Sequence, residues 1–65
     1  MNTLLPYPPP EAVDIAEQIE AACTQALLAY EMSDHEAAVA LFARAHLKRL
    51  ELLRLMETIL ARAMQ

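Results

Sequence analysis

The stretch "EMSDHEAA", Glu31 to Ala38, decides how the chain folds, because two long segments without an internal proline or glycine flank it. Ser33 followed three residues later by Glu36 matches a capping box, in which the serine oxygen accepts from a backbone N–H and the glutamate reaches back. Asp34 and Glu36 place negative charge where a new helix has its positive end. One helix is therefore expected to end near Glu31 and a second to start near Asp34. A link of two or three residues forces the two to run antiparallel, as an αα-hairpin.

Toward the N-terminus, "LLPYPPP" cannot be helix interior, since proline lacks the amide donor and restrains the residue before it. Consecutive prolines favour an extended polyproline segment. Residues 1–9 thus read as an extended Pro-rich arm and residues 10–65 as the hairpin. Pro10 suits the first helical position, with Glu11 and Asp14 at the positive end of the dipole. Helix 1 is expected over about 10–31, with Ile15, Ile19, Ala22, Cys23, Ala26 and Tyr30 on one stripe at steps of three and four. Helix 2 is expected over about 34–64. It would be longer by about nine residues, or ~14 Å at the helical rise. The arm either folds back along this overhang, with Leu4, Leu5 and Tyr7 near Ile59, Leu60 and Ala63, or stays disordered.

A chain of 65 residues makes one small domain, and domains this short commonly need disulfides, metal or association for stability. An internal disulfide is excluded, because Cys23 is the single cysteine. A hydrophobic content of 57% leaves association as the natural route. The net charge of −4 is unevenly spread. Glu11, Asp14, Glu17, Glu20 and Glu31 occupy the first 33 residues with no Lys or Arg, whereas Arg44, Lys48, Arg49, Arg54 and Arg62 all fall in the second half. An acidic segment facing a mildly basic one fits two helices packed on each other, with Glu17 and Glu20 level with Arg49 and His46.

Helix 2 carries more apolar surface than one neighbour can cover. Ala38, Phe42, Ala45, Arg49, Leu52, Met56, Ile59 and Ala63 form a heptad-like seam. A second stripe, Val39, His46, Leu50, Leu53, Leu60 and Met64, lies beside it. Helix 1 covers one stripe; the other, together with Ala21, Leu28 and Met32 of helix 1, needs a further surface. The expected architecture is all-α, an antiparallel hairpin with a Pro-rich arm, dimerising into a four-helix bundle. Leu28, Met32, Leu50, Leu53, Leu60 and Met64 are the expected association surface. Arg49, a charge at a seam position, is read as a specificity device paired with Glu17, Glu20 or a partner's carboxylate, or else as a side chain whose stem crosses the seam to water.

The segment Ala26 to Ala45, "ALLAYEMSDHEAAVALFARA", resembles one tetratricopeptide helix–turn–helix. Ala38, Phe42 and Ala45 match the small–aromatic–small spacing of that repeat's second helix. Ser33-Asp34 stands at its turn, and Ala26 takes the place of the small residue in its first helix. The resemblance implies helices brought close by alanines, with the aromatic filling the gap between them. It ends where the repeat would end in proline, because here the helix runs on through Leu50, and no second copy follows. In length and layout the chain is also similar to the small hairpin co-chaperones of type III secretion, whose partners carry tetratricopeptide repeats. A plasmid RNA-binding hairpin that dimerises into a four-helix bundle has a similar size.

Chemical motifs are sparse. Without glycine there is no phosphate-cradling loop, and Ser33, the single serine in the sequence, is read as a cap. Cys23 and His46 can approach each other across the hairpin, but a thiol among alanine and isoleucine reads as a core residue, not a nucleophile. His35 and His46, eleven residues and ~16 Å apart, cannot hold one ion within a chain. No enzyme activity, cofactor or metal is expected. Arg44, Lys48 and Arg62 line one side of helix 2 and define the competing reading, a dimeric RNA or DNA binder, although Glu51 interrupts them. "MNTLLPYPPP" has no basic residue and no apolar core of signal-peptide length, and no apolar run approaches a membrane span. The expectation is a cytoplasmic regulator, adaptor or co-chaperone that binds protein, as a homodimer or with a larger partner.

Overall fold

The computed structural model describes residues 9–64, which form two antiparallel helices, α1 (Pro10–Glu31) and α2 (His35–Ala63). The expected all-α hairpin is therefore present. The Pro-rich arm, with its proposed packing near Ile59, Leu60 and Ala63, lies almost wholly outside the described residues. α1 starts where its sequence demands: Pro9 is extended (φ −59°, ψ 141°), Pro10 takes the first turn without needing a donor, and Val13 N–H donates to Pro9 O at 3.1 Å.

The turn departs from the expected capping box. Ser33 caps nothing; it adopts the left-handed conformation at φ 64°. Its N–H donates to Tyr30 O at 3.0 Å, and Asp34 N–H donates to Ala29 O at 2.8 Å. These two bonds make a Schellman motif, which satisfies carbonyls at the end of α1. Asp34 then caps α2, its carboxylate accepting from Ala37 N at 3.2 Å. One short segment therefore closes α1 and opens α2, with serine at the position that glycine usually fills. The rings of Tyr30 and His35 stack across the turn, centroids 5.4 Å apart.

The hairpin has an unusual core. Its five buried hydrophobic residues are all alanines, Ala12, Ala22 and Ala26 on α1 and Ala38 and Ala45 on α2. Small side chains at a contact let helix axes approach to the short end of the usual ~8–10 Å. Phe42 is not buried between the helices, as the tetratricopeptide resemblance implies; it is 45% exposed and lines a groove beside the alanine seam. Each buried methyl contributes ~0.8 kcal/mol, so these alanines supply only a thin core.

The α2 seam is also turned from the expected one. Ala38, Ala45, Leu52 and Ile59 face α1 as anticipated, but between them Leu41, Lys48 and Leu55 are half-buried, while Phe42 and Arg49 are exposed. Met56 is half-buried as well, so the rotation is partial. α2 has 29 residues against 22 in α1. The excess is therefore ~10 Å at the helical rise, shorter than the expected ~14 Å, because the turn takes Asp34 and the helix ends at Ala63.

Candidate interaction surface

Two grooves run along the hairpin, one on each side of the alanine seam. The first is lined by Ile19 and Cys23 of α1 and by Phe42, Ala45, His46 and Arg49 of α2, and encloses about 210 Å³. The second is lined by Gln18, Ala21, Ala22 and Gln25 of α1 and by Leu41 and Arg44 of α2. Helical periodicity assigns the remaining side chains to one side or the other, because residues three, four and seven apart share a face.

On the first side, Leu27 and Tyr30 continue the Ile19–Cys23 row of α1. Val39, Leu50, Leu53, Leu60 and Met64 continue the Phe42–His46 row of α2. All seven are exposed, Leu53 at 54%. With Phe42 they make a largely apolar face along the length of the hairpin, which by the same spacing also carries Glu20 and Glu31 of α1 and His46, Arg49 and Glu57 of α2. Arg49 does not occupy the core seam. It is exposed beside the groove, and its Nη2 donates toward His46 Nδ1 at 3.5 Å, the long limit of a hydrogen bond. No ion pair joins it to Glu17 or Glu20 among the described residues; the expected pairing within the hairpin does not form.

Leu28 and Met32 fall on the other side. They continue the Ala21–Gln25 row and are exposed next to the second groove, so they cannot join Leu50, Leu53, Leu60 and Met64 in one flat surface. In their place α1 offers Leu27 and Tyr30. A readable signal existed: Leu27 lies four residues and Tyr30 seven beyond Cys23, a position already on the apolar stripe.

The second side is more polar. Arg44 faces Gln18 and Gln25 across the second groove, and Lys48 and Arg62 follow it along α2. Lys48 is half-buried and its Nζ lies 3.4 Å from Glu51 Oε1, the one ion pair among the described residues. A carboxylate thus neutralises the middle of the basic strip. Leu55 is half-buried beside it, whereas Leu47, 66% exposed, lies on the outer surface of α2 one turn before Leu50.

The structure brings Cys23 and His46 to the same groove, as their antiparallel spacing predicts. Cys23 is half-buried in a groove that Ile19, Phe42 and Ala45 share with His46 and Arg49, and the His46 ring turns its Nδ1 to the Arg49 guanidinium. His35 stacks on Tyr30 near the turn. Among the described residues no group of three or more His, Cys, Asp or Glu side chains converges as a metal site, and no helix is long and apolar enough to cross a membrane. No protein-family model, curated protein or solved structure matches the chain.

Proposed function

We propose that this chain is a non-enzymatic protein-interaction module, a small regulator, adaptor or co-chaperone that works by packing its first-side apolar face against another polypeptide. The observation that carries this reading is the inversion of burial: alanines are inside while Leu27, Tyr30, Phe42, Leu50, Leu53 and Leu60 are outside on one side. Half-exposed large side chains gain on the order of 1 kcal/mol each when fully covered. Among the described residues nothing is left to supply that cover, because α1 is already seated on the alanine seam. A second pair of helices, completing a four-helix bundle, is the geometry that covers such a face along its length. A cytoplasmic setting agrees with the unpaired Cys23.

Leu53→Glu, compared with Leu47→Glu, tests the reading. Both substitutions put one carboxylate on exposed α2 surface, but only the first lies in the proposed interface. Tagged wild-type chain and the Leu47 variant are expected to hold a stoichiometric protein partner, a second copy or another chain, through purification. The Leu53 variant is expected to lose it. Equal retention by both variants, or no protein partner for the wild type, overturns the proposal.

A further inference from the structure

We infer that the occupant of the first-side face is a second copy of this chain, related by a two-fold axis parallel to the helices, so that both turns lie at the same end and each α1 packs on the partner's α2. The inference rests on the interaction reading above and adds the identity and orientation of the partner.

Area is the first support. Leu27, Tyr30, Val39, Phe42, Leu50, Leu53, Leu60 and Met64 are each between 42% and 86% exposed. At ~150 Å² for each side chain, the low end of the aromatic range, they present at most on the order of 700 Å², close to the ~800 Å² that each partner contributes to a standard-size stable interface. The face is therefore large enough to be closed by its own copy.

Charge selects the orientation. Two such faces can stack about an in-plane two-fold axis in two ways. An axis across the helices sets the turns at opposite ends, α1 on α1 and α2 on α2. An axis along the helices sets the turns together, and each α1 then meets the partner's α2. α1 carries Glu11, Asp14, Glu17, Glu20 and Glu31 and no basic residue, while α2 carries Arg44, Lys48, Arg49, Arg54 and Arg62 against Glu36, Glu51 and Glu57. Within one hairpin these charges are not used against each other, since the ion pair among the described residues lies inside α2. On the first side α1 places Glu20, three residues before Cys23, and α2 places Arg49. The crosswise axis sets acidic α1 against acidic α1, whereas the lengthwise axis brings Glu20 level with the turn of the partner's α2 that carries Arg49.

The overhang agrees. α2 extends past Pro10 and carries Leu60 and Met64 on its last turns, 55% and 86% exposed. Turns at one end bring the two overhangs together at the other, where these side chains share one apolar end. Turns at opposite ends would keep the two overhangs apart.

The test combines light scattering with pulsed electron-spin distance measurements on nitroxide labels. Cys23→Ser removes the native thiol, and labels are placed singly at Met32→Cys or Glu11→Cys, both exposed and at opposite ends of α1. The lengthwise axis keeps each label level with its symmetry mate, at roughly 25–30 Å across the bundle for either site. With the crosswise axis at least one site exceeds about 40 Å, since α1 alone spans ~33 Å. The expected result is a dimer with short distances at both sites. A dimer with a long distance at either site overturns the orientation and leaves the interaction reading intact. A wild-type monomer at tens of micromolar overturns the second-copy inference; the interaction reading is then decided separately by the Leu53 and Leu47 variants.

Discussion

Ser33→Gly is expected to stabilise the protein, although it removes the residue that the sequence pattern marks as the start of a capping box. Ser33 sits at φ 64°, in the left-handed region. For a residue with a Cβ that conformation costs roughly 1–2 kcal/mol, whereas glycine adopts it freely. Glycine also gains more freedom in the unfolded chain, which returns about 0.5–1 kcal/mol of that advantage. The net expectation is a gain of about 0.5–1 kcal/mol per chain.

The sign separates two accounts of the turn. Were Ser33 the N-cap of α2, replacing it with glycine would cost a few tenths of a kcal/mol, and replacing it with alanine about 1 kcal/mol. In the Schellman turn no such cap exists at Ser33, and the cap belongs to Asp34. Asp34→Ala is therefore the substitution expected to cost about 1 kcal/mol. Thermal unfolding followed by circular dichroism at one fixed chain concentration reads all three variants, since an associating protein has a concentration-dependent midpoint. A change of 1 kcal/mol shifts the midpoint by about 4–8 °C in a domain of this size. A lowered midpoint for Ser33→Gly together with an unchanged one for Asp34→Ala would refute the assignment.

Two further outcomes follow from the seam and the basic strip. Ala26, fully buried, is the tightest point between the helices; Ala26→Leu is expected to force them apart and cost about 1–3 kcal/mol, read as a lowered midpoint in the same assay. Replacing Arg44, Lys48 and Arg62 together with alanine is expected to leave the molar mass by light scattering unchanged, because all three lie on the second side. Loss of association in that triple variant would move the interface to the polar face.

Much of the fold was legible because its signals are local. Pro10 with no later proline or glycine, the Ser-Asp-His-Glu break, and alanines and isoleucines at steps of three and four all point to two antiparallel helices. The turn was misread by one residue for a physical reason. Ser33 and Asp34 are both good caps, and Glu36 lies at the right distance from Ser33 to complete a capping box. What moved the cap to Asp34 is the demand of α1 for a left-handed residue to end it, a demand that falls on Ser33 in a chain without glycine. Capping strength alone does not rank the two positions, because the competing requirement belongs to the preceding helix.

The exposed apolar residues of the first side were legible on α2 and only partly on α1, and the same cause accounts for both. Ala38, Ala45, Leu52 and Ile59 repeat every seven residues, so a seam through them is fixed. The positions between them come as adjacent pairs, Leu41 with Phe42, Lys48 with Arg49, and Leu55 with Met56, each of similar polarity. Period alone therefore allows the seam to lean either way. The alanine row Ala12, Ala22 and Ala26 settles it by drawing α2 in close, and the seam leans toward Leu41, Lys48 and Leu55. Phe42 and Arg49 are thereby turned outward beside Leu50 and Leu53, and on α1 the same choice puts Leu27 and Tyr30 on their side and Leu28 and Met32 on the other. A lean of one residue in the heptad decides which leucines lie exposed together on the first side. The packing of two small helices on a thin alanine core thus sets the composition of the surface they leave open.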